Sequence, residues 1–172
     1  AVNYFDQAAL DETPALILVG PTESSCILSS ITSSEGTPRP ARGSKQTIAA
    51  GLNCAFPSLA AWPTVRRGIK ACLAVEDNYV EEAVRTFFHP EREDPRIVSG
   101  EAGAAGLAGL LALARDANLE PARRKLGLGS ESSVLVVVTE GATNPDGFRE
   151  SVGVDSCHGV DETAIGRVEE NQ

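Results

Sequence analysis

Val134-Leu135-Val136-Val137-Val138, closed by Thr139-Glu140-Gly141, is the clearest strand in the chain. It is continuously apolar and rich in β-branched residues. That pattern fits a strand covered on both faces, not one alternating between core and water. Two runs upstream share its character. Ala15-Leu16-Ile17-Leu18-Val19 ends at Gly20-Pro21, and Lys70-Ala71-Cys72-Leu73-Ala74-Val75 leads to Asp77, a good helix cap. Helical spacing fills the intervals. Val80, Ala83, Val84 and Phe87 share a face, with Glu81 and Glu82 on the wet side. Ala102 to Ala114 is apolar all round and therefore expected to be central and buried. Trp62 to Ile69 and Glu120 to Leu126 are further helices, the second stopped by Gly127. Strands alternating with helices predict an α/β fold: a parallel sheet with helices on both faces, its strands near 15–19, 70–75 and 134–138. In such sheets ligands sit at the carboxyl ends of strands. Those ends are Gly20-Pro21, Ser99-Gly100-Glu101 and Thr139-Glu140-Gly141.

The chain has 172 residues and a net charge of −9, from 15 Lys+Arg against 24 Asp+Glu. The length suits one domain with a sizeable core. The acidic balance argues against nucleic acid or an anionic membrane as partner, because both demand a basic footprint. No apolar run approaches the roughly 20 residues of a membrane span, and the first residues lack the basic-then-apolar layout of a secretory signal. The expectation is a soluble, cytoplasmic chain. Thr22 is a plausible cap for a helix carrying Cys26, Ile27, Leu28 and Ile31, and Thr32 to Ser44 is a long loop, functional or mobile. Periodicity fades after about Phe148. The organisation is therefore a domain over 1–150 and an acidic, disordered tail over 151–172.

The cysteines, Cys26, Cys54, Cys72 and Cys157, form no CxxC and no zinc spacing, so they read as buried or incidental thiols and no metal site is expected. His89 and His158 stand in turn-rich surroundings and read as surface residues. The informative stretch is Ser99 to Gly109, with glycine at 100, 103, 106 and 109. Each glycine costs a helix interior about 1 kcal/mol, so the repetition needs a reason. Tight packing in an alanine-rich core and close approach to a ligand both supply one. The run is not GxGxxG, which excludes a dinucleotide fingerprint. At the other strand exit, Thr139 and Glu140 offer a hydroxyl and a carboxylate able to orient a heterocycle. Asn144-Pro145-Asp146-Gly147 reads as a turn reversing the chain.

Four blocks occur in one order: Ala49-Ala50-Gly51-Leu52-Asn53-Cys54, then Trp62, then Asp94-Pro95-Arg96-Ile97-Val98-Ser99-Gly100-Glu101-Ala102-Gly103-Ala104, then Val138-Thr139-Glu140-Gly141. Together they resemble the C-terminal part of the diaminopropionate ammonia-lyase family, within the pyridoxal-phosphate fold type II superfamily that includes the tryptophan synthase β subunit. The resemblance runs to about Arg149. It implies pyridoxal phosphate as cofactor, with Gly100, Glu101, Gly103, Val138 and Thr139 at the cofactor wall. It also implies that the Schiff-base lysine and the phosphate loop belong to an earlier segment. Lys45, Lys70 and Lys125 lack the family's Ser-Phe-Lys context, so no catalytic residue is assigned on this chain. Several positions depart from the family pattern. Val138 stands where a serine is usual, Ala102 replaces a serine, Gly20 a glutamate, and Ala142 and Asn144 two aspartates.

The implied function is part of an ammonia-lyase performing α,β-elimination on a diaminopropionate-like 2-amino acid, giving a 2-oxo acid and ammonia. Its partners would be a small amino-acid substrate and either a second copy or the lysine-bearing half, since the apolar helix wants neighbours on every side. The alternative is a non-catalytic remnant acting as a binding or interaction module, which the loss of polar groups at the cleft favours.

Overall fold

The structure, a computed structural model, describes residues 1–7 and 13–153. Among these the order is α1 (Val2–Gln7), β1 (Ile17–Pro21), α2 (Cys26–Ile31), α3 (Trp62–Gly68), β2 (Ala71–Val75), α4 (Asp77–Phe88), α5 (Ala105–Arg115), α6 (Glu120–Lys125) and α7 (Pro145–Val152). β1 and β2 pair in parallel, from Ile17 opposite Ala71 to Pro21 opposite Val75. Their apolar runs leave no polar side chain to satisfy, so both can lie beneath a helix. α5 packs on both strands and on α4. A Cβ on Gly109 would stand 2.5 Å from Val19 Cγ2, so glycine there lets α5 sit directly on β1. The core runs from Val75 through Val80, Val84 and Phe88 to Ala108, Ala112 and Phe148.

The α/β class and its parallel strands are as expected, but the third strand is not. Residues 134–138 pair with no strand among the described residues. Val136 turns inward, since a Cβ on Gly106 would lie 2.9 Å from its Cγ1. Its neighbours face water: Leu135 is 81% exposed and Val137 64%. A run this apolar with one face on α5 and the other bare has sequence suited to a sheet that the described residues do not complete.

Punctuation also departs from expectation at several points. Asp77 is the first residue of α4 rather than its cap. Its carboxylate accepts from Thr47 Oγ1 at 2.6 Å and from the Ile48 amide at 3.0 Å. Thr22 opens a short 3₁₀ turn, with no cap bond from its side chain to α2; Ser25 Oγ instead donates to the Thr22 carbonyl. α5 begins at Ala105, because 101–104 form a turn. Asn144-Pro145-Asp146-Gly147 starts α7, with Asn144 Oδ1 accepting from the Gly147 amide at 3.3 Å, and the helix continues through buried Ser151 and Val152. His158, Cys157 and the rest of 154–172, where the disordered tail was expected, lie outside the described residues.

The long connection between α2 and α3 is anchored by side chains. Arg39 N donates to Ser30 Oγ at 2.8 Å, Trp62 Nε1 to the Gly36 carbonyl at 3.3 Å, and Ser24 Oγ to the Cys54 carbonyl at 3.1 Å. Asp77 holds the end nearest β2. Hydrogen bonds to a charged acceptor contribute about 1.5–3 kcal/mol, and this pair is partly exposed. Asp77→Ala is therefore expected to destabilise the chain by roughly 1–2 kcal/mol, read as a lower urea midpoint at unchanged slope. An unchanged midpoint would mean that the 45–49 segment holds its place without the carboxylate.

Candidate functional site

Three stretches far apart in sequence meet beyond the strand ends: 49–54, 99–104 and 138–141. The meeting point is Glu140. Its Oε1 accepts from the Ala102 amide at 3.1 Å, and its backbone carbonyl accepts from the Gly100 amide at 3.3 Å. A Cβ on Gly51 would lie 3.2 Å from Glu140 Oε2 and 3.1 Å from Ala102 Cβ. A Cβ on Gly100 would lie 2.4 Å from the Gly141 carbonyl oxygen and 2.8 Å from Glu140 Oε1. One on Gly103 would lie 2.6 Å from the Glu140 carbonyl oxygen. The glycine spacing therefore serves close packing throughout, against backbone at Gly100 and Gly103 and against the Val136 and Val19 side chains at Gly106 and Gly109.

The residues expected at a cofactor wall are placed as follows. Gly100 and Gly103 press against 140–141. Glu101, only 5% exposed, points its Oε1 at the first turn of α7, where a Cβ on Gly147 would be 2.6 Å away. A carboxylate is favoured there by the positive end of the helix. Val138 is half-buried and Thr139 exposed at the strand exit. Gly51, which joins these segments with Glu140, was not among the expected site residues; Glu140 was expected as a carboxylate facing a heterocycle and instead binds the 99–104 turn. The start of α5 has no cap from its own side chains and no acidic residue in its first turn. The Glu140 carboxylate stands at that end instead, bound to the Ala102 amide, so this end of α5 already carries its anion.

On its outer side the strand end is open. A Cβ on Gly141 would meet nothing within 4 Å, and the same holds at Gly20 at the end of β1. An open, glycine-flanked strand end with an exposed hydroxyl at Thr139 fits the edge of a planar heteroaromatic ring.

Beside this site, at the carboxyl end of β1, lies a cavity of about 260 Å³ lined by Leu18, Gly20, Leu28, Leu52, Phe56 and three thiols, Cys26, Cys54 and Cys72. All three are free. Burial, with Cys26 nearby, pushes the Cys72 thiol up to about 11, and burial, with Cys54 nearby, pushes Cys26 up as well. Thiolates are the reactive species. At pH 8 iodoacetamide is therefore expected to modify exposed Cys54 well before Cys26 or Cys72, as mapped by peptide mass; equal rates would contradict this ordering. Among the described residues no group of three His, Cys, Asp or Glu is arranged to hold a metal. No described helix is long and apolar enough to cross a membrane.

Comparison with known proteins gives this geometry a family. The model of the family described as pyridoxal-phosphate dependent enzymes matches residues 2–140. The chain belongs to the pyridoxal-phosphate-dependent enzyme family. Its curated relatives include the diaminopropionate ammonia-lyase of Salmonella typhimurium, 29% identical over 88% of this chain and 38% of that protein. The Escherichia coli K12 enzyme of the same name is 34% identical over 79% of this chain and 34% of that protein. The crystal structure of the Escherichia coli enzyme with an aminoacrylate–pyridoxal-phosphate azomethine intermediate superposes with a TM-score of 0.70 at 33% identity, covering 79% of this chain and 33% of that one. The chain thus spans a little over a third of the length of the curated relatives it matches. Pyridoxal phosphate is the family's cofactor.

Proposed function

We propose that this chain is the part of a pyridoxal-phosphate-dependent ammonia-lyase that forms one wall of the cofactor cleft. The reaction is α,β-elimination from a small 2-amino acid with a β leaving group, of the diaminopropionate kind, yielding a 2-oxo acid and ammonia. The observation that carries this reading is the convergence of 49–54, 99–104 and 138–141 on one strand end, in a chain of this family. When bound, the cofactor supplies an electron sink for loss of the α proton and the β group. The chain's own residues position and exclude. Gly100 and Gly103 give the wall a flat backbone, and buried Glu101 ties that turn to α7. Val138 and Thr139 would stand beside the ring of the bound cofactor, Thr139 offering the hydroxyl.

The lysine that carries the cofactor is supplied by another segment. Lys45, Lys70 and Lys125 are all exposed, and Lys70 lies at the amino end of β2, away from the site. Pyridoxal phosphate added to the chain is expected to give an induced circular dichroism band, and borohydride is expected to leave all three lysines unmodified. A stoichiometric reduced adduct at any of them would overturn the assignment of the lysine elsewhere. Absence of the induced band, alone and with the lysine-bearing half, would overturn the cofactor-wall reading itself.

A second reading is favoured by Val138, whose methyls occupy a strand end where a ring nitrogen would want a hydroxyl: a binding or interaction module that keeps the fold without the chemistry. Both readings use the bare side of 134–138. Leu135 and Val137 form an exposed apolar strip with which no strand pairs among the described residues, the usual template for strand addition. The chain is expected to self-associate, or to pair with the lysine-bearing half, as concentration rises in light scattering. A strictly monomeric species up to high concentration would mean that the strip is covered from within the chain.

A further inference from the structure

We infer that Glu140 is the positioning residue of this wall, and that its carboxylate, rather than the glycines it touches, sets the conformation of the 99–104 turn. Three glycines from two distant stretches approach it closely, Gly100 also crowding the Gly141 carbonyl and Gly51 also crowding Ala102. A Cβ at Gly51, Gly100 or Gly103 would fall 3.2 Å from Oε2, 2.8 Å from Oε1 and 2.6 Å from the backbone carbonyl of this one residue. Ser99 Oγ donates to the Gly100 carbonyl at 2.9 Å and the Ala105 amide to the Ala102 carbonyl at 3.4 Å, while three amides of the turn itself donate. The Gly100 amide goes to the Glu140 carbonyl, the Ala102 amide to Glu140 Oε1, and the Ala104 amide to the Gly100 carbonyl. Two of the three end on Glu140. Glycine-rich backbone has more conformations to lose than any other, so without an external tie this turn would sample many. α5 begins just after it with no cap of its own, and a negative charge at a helix N-terminus is favourable. Glu140 thus supplies, from 38 residues away, both the acceptor and the charge that the turn and helix lack. Being half-buried between Gly51 and Ala102, it acts through the turn and not on the reacting atoms.

This inference rests on the cofactor-wall reading only for what the turn is used for; the clamp is tested in the chain without cofactor. The Ala102 amide proton, followed by NMR, is expected to move in Glu140→Ala, which removes its acceptor, and to stay near its wild-type position in Glu140→Gln. Amide hydrogen exchange at Gly100, Ala102 and Ala104 is expected to be close to wild type in Glu140→Gln, which keeps an acceptor oxygen. It should be at least about tenfold faster in Glu140→Ala, the size expected when a charge-assisted bond is lost from a local opening equilibrium. The core amides of α4 serve as the control for global unfolding and should stay protected in both variants. Unchanged exchange in Glu140→Ala, an Ala102 amide unmoved by Glu140→Ala, or equal loss of protection in α4 would each overturn the inference. Wild-type chain that shows the clamp but gives no induced band with pyridoxal phosphate would support the inference while removing the cofactor reading.

Discussion

Truncating Phe148 to alanine lowers stability by about 3–5 kcal/mol, the range for emptying a buried aromatic site. Phe148 is 1% exposed and meets Phe88 edge to face, with ring centroids 5.3 Å apart and planes at 86°. It is the largest side chain through which α7 joins the core, seated against α4. Val152, 3% exposed, adds a smaller apolar anchor, and the remaining ties are polar: Arg85 donates to the Ser151 carbonyl at 3.0 Å, and His89 Nε2 lies 3.1 Å from the Val152 carbonyl. For a chain of this size each kcal/mol moves the melting midpoint by roughly 2–4 °C. A fall of about 10 °C or more in thermal circular dichroism is the expected result. A fall of only a degree or two would mean that α7 docks without this ring.

That effect falls in a stretch whose sequence gives little sign of it. Hydrophobic periodicity is weak there because α7 has eight residues and buries only Phe148, Ser151 and Val152. Punctuation was the readable signal. Asn144 caps, Pro145 sits at the first turn, and Gly153 closes the helix at φ 70°, its amide reaching the Arg149 and Glu150 carbonyls. Read as a turn, Asn-Pro-Asp-Gly ends a domain; read as a cap, it starts a helix. The same four residues support both, and burial of one phenylalanine decides between them. Long apolar runs were more legible. β1, β2, α4 and α5 lie close to their expected places, because a run that must be buried has few alternatives. For 134–138 the sequence indicates the environment and not the partner. Val136 is half-buried against α5, while Leu135 and Val137 wait on a face that residues 13–153 do not cover.

The candidate site was legible as segments and not as geometry. Ser99 to Gly109 and Thr139 to Gly141 stood out by composition, and both lie at the site. What periodicity could not give is that Gly51 faces Glu140, since nothing local to Ala49-Ala50-Gly51 records a neighbour 89 positions later. Nor could it separate the two uses of glycine, packing and ligand approach. The structure assigns packing to Gly100, Gly103, Gly106 and Gly109, each of which would press a Cβ on a named neighbour.

Those assignments divide the glycines by substitution. Gly100→Ala is expected to cost about 1–3 kcal/mol, the usual penalty of overpacking. Its new Cβ would stand 2.4 Å from the Gly141 carbonyl oxygen, and backbone cannot rotate away as a side-chain tip can. Gly103→Ala meets the Glu140 backbone at 2.6 Å and belongs to the same class. Gly106→Ala meets a valine methyl at 2.9 Å on an exposed-edge segment, so the neighbour can yield and the cost is expected to be smaller. Gly141→Ala meets nothing within 4 Å, and its φ lies outside the left-handed region. Such a substitution removes freedom from the unfolded chain and is worth about 0.4–1 kcal/mol in favour of folding. The opposite signs at 100 and 141, two residues that touch each other, make the pair a sharp measurement. Urea denaturation of both variants beside the wild type reads it directly. Equal midpoints would mean that the 99–104 turn stands away from the strand end in solution, and with it would go the reason these glycines recur.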